Sequence, residues 1–180
     1  RPGDTVSVEE PSYFLALRIF ADYNLNVIGT PIDANGIIIE ALEGKLKKHK
    51  PIFIYTIPVF HNPAGITLSA DRREKVAGLS EKYDFLIVAD EVYQLLNYTS
   101  TPPAPMTYFD VGERVLSLGS FSKILAPGLK LGWMHAKPNL LVPFTGCGYL
   151  DSGGGLNPFV SSIVSSVIEL GLQETYLKKL

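Results

Sequence analysis

The sequence is poor in the residues that build covalent cross-links and metal cages. It has one cysteine, Cys147, and three histidines among its 180 residues. A single cysteine excludes an intramolecular disulfide and a cysteine-based metal cage, and the histidines lack metal-ligand spacing. We therefore expect no metal centre. A lone thiol fits a reducing compartment, so we expect a cytoplasmic location, or an organelle if a transit peptide precedes the chain.

Long apolar runs and an excess of charge of one sign are also missing. No run approaches the roughly 20 apolar residues of a membrane-spanning helix, and no secretory signal peptide opens the chain. Sixteen basic and eighteen acidic residues leave a net charge of −2, and the basic cluster at residues 45–48 is short. This balance argues against a nucleic-acid surface. We expect neither nucleic acid nor membrane as a partner.

What is present is an alternation of short apolar runs with amphipathic segments. Strands are predicted at residues 5–8, 25–29, 52–57, 85–89 and 115–118. Helices are predicted after Pro11, over 37–48 and after Ser69. Runs that are apolar on both faces are typical of parallel strands covered by helices. The alternation predicts one domain with an α/β fold, three layers (α/β/α) and a mostly parallel sheet.

Three further segments give local expectations. Pro31, Asp33, Asn35 and Gly36 predict a turn after the second strand. The proline-rich segment 99–105 predicts an exposed loop. A helix is predicted over residues 159–170. Its inward-facing residues are expected to be Val160, Ile163, Val164, Val167 and Ile168.

Polar residues follow three of the predicted strands. Asn62, in His-Asn-Pro-Ala-Gly, follows 52–57, and Asp90, with Tyr93 three residues later, follows 85–89. Lys123, in Ser-Phe-Ser-Lys, follows 115–118 and is expected at the strand end. Each motif alone is weak, because Asn-Pro is a common turn and a loop lysine is usually a solvated charge. However, the carboxyl ends of parallel strands meet at one edge, where ligands bind in open α/β sheets.

In this order and spacing the motifs resemble those of the class I and II aminotransferases, pyridoxal-phosphate enzymes of fold type I. The resemblance runs from Pro-Gly-Asp-Thr-Val through Asn-Pro-Ala-Gly and Asp-Glu-Val-Tyr to Ser-Phe-Ser-Lys-Ile-Leu-Ala-Pro-Gly-Leu-Lys-Leu-Gly-Trp. It implies that residues 1–180 are a large, cofactor-binding domain, incomplete at both ends. The later Ser-Gly-Gly-Gly-Leu-Asn-Pro-Phe resembles the branch of aminoadipate and aromatic aminotransferases and of MocR-type regulators.

The resemblance implies pyridoxal 5'-phosphate as cofactor and a role for each residue. Lys123 would hold the cofactor aldehyde as a Schiff base and then act as general acid and base, helped by burial that keeps its amine neutral. Asp90 would face the pyridine nitrogen and keep the ring protonated. Tyr93 and Asn62 would donate to the phenolic oxygen of the ring, and Tyr13 would stack on it. Lys123, Asp90 and Tyr93 are the expected catalytic residues.

Three residues are expected to bind the phosphate. Ser120 and Ser122 offer hydroxyls beside the lysine. Lys130 stands where the family usually has an arginine, so a point charge replaces a planar, bidentate fork. We expect this departure to weaken cofactor binding by about 1–2 kcal/mol.

The expected function is transfer of an amino group between an amino acid and a 2-oxo acid, by a homodimer in the intact enzyme. Aminoadipate, aromatic amino acids and kynurenine are all admissible substrates. Two alternatives stay open: a pyridoxal-phosphate-binding effector domain of a MocR-type transcription regulator, and a lyase of the same fold. A third alternative is that this chain alone has no activity, because the active sites of the family are built at a dimer interface.

Overall fold

The computed structural model describes residues 1–96, 98, 100–155 and 157–180. Thr99 of the predicted loop and Leu156 of the glycine-rich motif lie outside the described residues. The described strands are β1 (Thr5–Glu10), β2 (Asn26–Asp33), β3 (Gly36–Ile37), β4 (Phe53–Thr56), β5 (Leu86–Asp90), β6 (Val115–Ser120) and β7 (Gly132–His135).

The described helices lie mainly between these strands and after the last of them. They are α1 (Phe14–Asp22), α2 (Ile39–His49), α3 (Ala70–Tyr83), α4 (Phe121–Ile124), α5 (Pro138–Thr145), α6 (Gly148–Asp151), α7 (Pro158–Glu169) and α8 (Leu172–Leu177). Two 3-10 helices span Met106–Phe109 and Pro127–Leu129. As predicted, Ser69 caps α3, where its hydroxyl accepts from Arg72 N at 3.4 Å. No helix in the described part of the chain is long and apolar enough to cross a bilayer.

The strands form one sheet in the order β3-β2-β1-β4-β5-β6-β7. Neighbours from β2 to β6 are parallel, whereas β3 and β7 pair antiparallel at the two edges. The predicted α/β fold with a mostly parallel sheet is confirmed. The parallel pairing brings the segments that follow β4, β5 and β6 to the same edge of the sheet.

Helices cover both faces of the sheet. On one face, α2 and α3 pack against Ile54, Ile87 and other buried residues. On the other, α1 packs against a cluster that includes Tyr55 and Val88. Because successive side chains of a strand point to opposite faces, Asp90 belongs to the α1 face with Val88.

Two predicted boundaries near β2 are wrong. The predicted turn is confirmed at Asn35. It begins later than expected, because Pro31 and Asp33 lie in β2, where Pro31 pairs with Glu10 of β1 and Asp33 with Gly36 of β3. Ile37 is predicted to be helical and instead belongs to β3, so α2 begins only at Ile39. Long-range strand pairing outweighs the local turn propensity here.

Two predictions of exposure also fail. In α7 only Val164 is buried, while Ile163 and Ile168 are 39% and 52% exposed, because periodicity identifies an apolar face but not what covers it. The described part of the loop is half-buried over 102–105. There the carbonyls of Pro103 and Ala104 accept hydrogen bonds from side chains of the preceding elements.

Candidate functional site

Five of the predicted site residues line one cavity at the carboxyl ends of β4 and β5. The cavity has a volume of about 170 Å³. Its lining residues are Tyr13, Ile57, Asn62, Asp90, Val92, Tyr93 and Lys123. The convergence that the strand order predicts is therefore present in the structure.

Lys123 reaches this cavity from a position different from the expected one. The strand β6 continues to Ser120, and one helical turn, α4, follows it with Lys123 as its third residue. Lys123 is exposed, so the expectation that this lysine is buried is wrong for the chain as the structure describes it. It lines the cavity from α4, the helical turn that follows β6.

One oxygen of the Asp90 carboxylate accepts a side-chain hydrogen bond. Tyr55 Oη donates a hydrogen bond to Asp90 Oδ2 at 2.6 Å. The other oxygen, Oδ1, is buried and has no hydrogen-bond partner among the described residues. Burial raises the pKa of Asp90, while the Tyr55 hydroxyl, the Val92 N–H and the charge of Lys123 oppose this rise.

An unpaired buried acceptor is costly unless a ligand supplies the donor. A protonated pyridine nitrogen is a donor of the required kind, and Asp90 shares the cavity with the Lys123 amine that an aldehyde needs. The residues present therefore fit pyridoxal phosphate.

A buried polar network supports the turn that carries Asn62. The carboxylate of Glu9 accepts from Thr56 Oγ1 at 2.9 Å and from Ile57 N at 2.8 Å. Glu9 Oε2 also lies 3.1 Å from His61 Nε2, and both side chains are buried. His61 Nδ1 in turn accepts from Ala64 N at 3.2 Å. This network joins the ends of β1 and β4 to the Asn-Pro turn.

The three residues predicted to bind phosphate do not belong to the lining of the cavity but flank it near Lys123. Ser120 Oγ accepts from Ser122 N at 3.1 Å, which leaves its own proton free for another acceptor. Lys130 is exposed and follows the second 3-10 helix with a φ of 52°. Phe121 N donates to Leu131 O at 3.0 Å, so the chain next to Lys130 lies against the start of α4.

No sequence pattern predicts Tyr55, Glu9 or His61 as part of the site. Tyr55 stands in an apolar strand and has the appearance of an ordinary core residue. Its relation to Asp90 depends on the β4–β5 register, in which Tyr55 lies opposite Val88. Glu9 carries a stronger signal, because a carboxylate in an otherwise buried strand needs partners. The sequence does not indicate which partners.

Sequence comparison identifies relatives of two kinds. Aromatic-amino-acid aminotransferase 1 of Thermococcus litoralis is 41% identical over 145 residues, 78% of this chain and 35% of that protein. The mitochondrial kynurenine/alpha-aminoadipate aminotransferase of Rattus norvegicus is 37% identical over 78% of this chain and 36% of its own. The uncharacterized HTH-type transcriptional regulator YdfD of Bacillus subtilis is 36% identical over 73% of this chain and 27% of its own length.

Solved structures match the fold over nearly the whole chain. The multiple substrate aminotransferase of Thermococcus profundus superposes with a TM-score of 0.93 at 38% identity, over 99% of this chain and 45% of that one. The alpha-aminoadipate aminotransferase LysN of Thermus thermophilus, complexed with N-(5'-phosphopyridoxyl)-L-leucine, has a TM-score of 0.87 at 27% identity, over 99% of this chain and 46% of that one.

The chain thus spans about a third of the length of the curated relatives it matches and less than half of the matching solved chains. The names of these relatives confirm the predicted likeness to the aminoadipate and aromatic aminotransferase branch. The family model for aminotransferase class I and II matches residues 1–163. With nine-tenths of its length matched in this way, the chain belongs to the class I and II aminotransferase family.

Proposed function

We propose that the intact protein is a pyridoxal-phosphate-dependent aminotransferase and that this chain supplies most of its cofactor site. The observation that carries the proposal is the pairing, in one cavity, of an amine at Lys123 with a buried carboxylate oxygen, Asp90 Oδ1, that has no partner among the described residues. Pyridoxal phosphate, when bound, supplies an aldehyde and an electron-accepting ring.

Five residues of the cavity would then have distinct tasks. With pyridoxal phosphate bound, the Lys123 amine would hold its aldehyde and would move the proton of the substrate α-carbon. Asp90 Oδ1 would accept the N–H of the pyridine ring and keep that ring protonated. Asn62 and Tyr93 would donate to its phenolic oxygen, and Tyr13 would pack against the ring face. Lys123, Asp90 and Tyr93 are thus the proposed catalytic residues.

The phosphate is assigned to residues beside α4. The free hydroxyl protons of Ser120 and Ser122 are suited to phosphate oxygens, and Lys130 supplies a positive charge. A lysine gives this charge without the planar fork of an arginine. We therefore propose that the cofactor binds here, but more weakly than it would with an arginine at this position.

The proposed substrates are an amino acid and a 2-oxo acid. The relatives act, by their names, on aromatic amino acids or on kynurenine and alpha-aminoadipate, so these amino acids are the first to test. The measurement is the spectral change of the loaded protein on addition of each amino acid, followed by recovery of the starting spectrum with a 2-oxo acid. Transfer of the amino group requires both changes.

We further propose that the intact enzyme is a homodimer. Large apolar side chains of α1 are exposed in the single chain: Phe14 is 70% exposed and Ile19 is 55% exposed. Such a patch is typical of an interface, and it lies on the helix that follows Tyr13. Sedimentation equilibrium of the protein tests this, with a monomer at all concentrations as the contrary result.

The cofactor proposal is tested by an absorbance titration with pyridoxal phosphate, borohydride reduction and peptide mapping. The label is expected on Lys123 and is expected to vanish in Lys123→Ala. Lys75→Ala is the matched control, because Lys75 is an exposed lysine that pairs with Asp71 at 2.8 Å and does not line the cavity. Label spread over surface lysines, or unchanged by Lys123→Ala, contradicts the proposal.

One observation favours a second function. The regulator YdfD matches 73% of this chain, nearly as much as the 78% matched by the aminotransferases, so we keep the effector domain of a transcription regulator as the alternative. Such a domain is expected to take the label on Lys123 but to show no reversible amino transfer with any of the amino acids tested. A lyase of the same fold would instead release a 2-oxo acid or a cyclic product without needing a second substrate.

A further inference from the structure

Tyr55 connects the core of the protein to the carboxylate of the cofactor site. Its side chain is buried, and the ring of Phe20 packs against it edge to face at a centroid distance of 5.6 Å. From this fixed position its hydroxyl donates to Asp90 Oδ2 at 2.6 Å. The residue opposite Tyr55 is Val88, so the phenol extends along the sheet to Asp90, two residues further on.

The hydrogen bond from Tyr55 to Asp90 Oδ2 fixes the orientation of the other carboxylate oxygen, Oδ1. With Oδ2 bound to the phenol, rotation about the Cβ–Cγ bond of Asp90 is restricted, and Oδ1 is left buried without a partner among the described residues. The phenol also donates to the charged form of the acid, which favours ionisation. A protonated ring nitrogen requires an ionised carboxylate whose free oxygen points toward its N–H.

The charged and titratable groups around this pair lie on α4, on β1 and just before α1. Lys123 of α4 acts on Asp90 and lowers its pKa. Glu9 of β1 and Tyr13, just before α1, act on Tyr55, and together with burial and Asp90 they raise the pKa of its phenol. Tyr55 therefore stays protonated at neutral pH and keeps its donor role.

We propose that Tyr55 is a positioning residue of the cofactor site: its hydroxyl keeps Asp90 ionised and turned so that Oδ1 accepts from the protonated ring nitrogen of the cofactor. The statement about the cofactor rests on the function proposed above. The statement about Asp90 itself does not, because it concerns two residues of the cofactor-free protein.

The chain contains a matched control for this bond. Tyr83 Oη donates to Glu43 Oε1 at 2.7 Å, between α3 and α2. Tyr83→Phe therefore removes the same kind of phenol–carboxylate bond as Tyr55→Phe, but at a residue outside the lining of the cofactor cavity. Both changes keep the aromatic ring and its packing.

The first arm of the test uses the cofactor-free protein labelled with carboxyl-¹³C aspartate. The titration of Asp90 is followed by NMR, with Asp90→Asn to assign the signal. Tyr55→Phe is expected to raise the pKa of Asp90, and Tyr83→Phe to leave it unchanged. An Asp90 titration that is the same with and without the Tyr55 hydroxyl overturns the proposal.

The second arm measures the dissociation constant of pyridoxal phosphate by absorbance, with Asp90 and with Asn at position 90. Tyr55→Phe is expected to weaken binding about tenfold when Asp90 is present and to have little effect in Asp90→Asn, because Tyr55 acts through that carboxylate. An equal loss in both backgrounds shows a merely structural role and overturns the proposal. If the unaltered protein takes no label at Lys123, the proposed function fails, and the NMR arm still decides the relation between Tyr55 and Asp90.

Discussion

Arg73 Nη1 lies 3.5 Å from Glu91 Oε1, and both side chains are buried. Burial lowers the pKa of the Arg73 guanidinium to about 10, so it is still charged at neutral pH. Burial raises the pKa of Glu91, and the bonds from the Ser117 hydroxyl and Met106 N–H and the charge of Arg73 oppose this rise. The pair ties α3 to the residue that follows Asp90, on the sheet face opposite to the cofactor cavity.

Glu91→Ala is expected to destabilise the fold by about 3–5 kcal/mol, because it leaves the buried charge of Arg73 without a counter-charge. In the native protein Met106 N donates to Glu91 Oε1 at 2.9 Å. Glu91→Gln is expected to cost less stability, because the glutamine amide oxygen can still accept this bond. Urea unfolding of both variants measures the difference. Equal losses would show that the Met106 bond contributes little, and no loss in Glu91→Ala would show that the ion pair is not structural.

Gly119→Ala is expected to displace the indole of Trp133 and to cost about 1–3 kcal/mol of stability. A Cβ at Gly119 would overlap Trp133 Cε2 and Cζ2, and this ring also packs against Phe121 of α4 at a centroid distance of 4.9 Å. Trp133 is the only tryptophan in the sequence, so its fluorescence reports the displacement directly.

The matched control for this substitution is Gly44→Ala in α2. A Cβ at Gly44 meets no atom within 4 Å, and alanine is favoured over glycine inside a helix by about 1 kcal/mol. This variant is expected to be slightly more stable, with unchanged tryptophan emission. An emission spectrum that is also unchanged in Gly119→Ala would show that the indole tolerates the added methyl group.

Asp90→Asn is expected to raise the melting temperature of the cofactor-free protein at pH 8. The pKa of Asp90 is raised above the ordinary value of 3.8 in the folded state. At pH values between 3.8 and the raised pKa of the folded state, the native protein therefore binds more protons than the unfolded one. The free energy of unfolding falls as the pH rises through this range. Asparagine removes this loss and can still accept from Tyr55.

The size and pH dependence of the gain in melting temperature distinguish the loss of the Asp90 charge from a general effect of removing a carboxylate. Each kcal/mol corresponds to about 2–4 °C for a chain of this length, so a gain of a few degrees is measurable by calorimetry. The gain is expected to shrink as the pH falls toward 3.8 and to vanish below it, where Asp90 is protonated in both states. Asp71→Asn, which changes an exposed carboxylate paired with Lys75, is expected to have little effect. A gain that is independent of pH would contradict this explanation.

Lys130→Arg is expected to tighten binding of pyridoxal phosphate about 5- to 30-fold, which corresponds to about 1–2 kcal/mol. An arginine offers the phosphate two parallel N–H donors in a planar fork, whereas lysine offers a point charge. Lys137→Arg is the control for a general effect of added guanidinium, since Lys137 precedes α5, beyond β7. Absorbance titrations with pyridoxal phosphate compare the dissociation constants of the unaltered protein and the two variants. Tighter binding in both variants would contradict a specific phosphate contact at residue 130.

The sequence by itself determined the family and most of the candidate site. The motifs containing Asn62, Asp90 and Lys123 follow apolar strands, and in a parallel sheet this order is sufficient to predict that they meet at one edge. The structure places all three around the same cavity. Local signals such as the Ser69 cap of α3 were also sufficient, because they depend on residues adjacent in the chain.

Only the tertiary structure decided how these residues are supported. The bond from Tyr55 to Asp90 depends on strand register, and the contacts of Glu9 with His61 and of Arg73 with Glu91 join segments far apart in the chain. Strand pairing likewise overrode the turn expected at Pro31. Hydrophobic periodicity and turn propensity are local properties, whereas a hydrogen bond between buried groups depends on which elements pack together. The sequence therefore predicts the residues that line the candidate site, and the packing determines the groups that hold them in place.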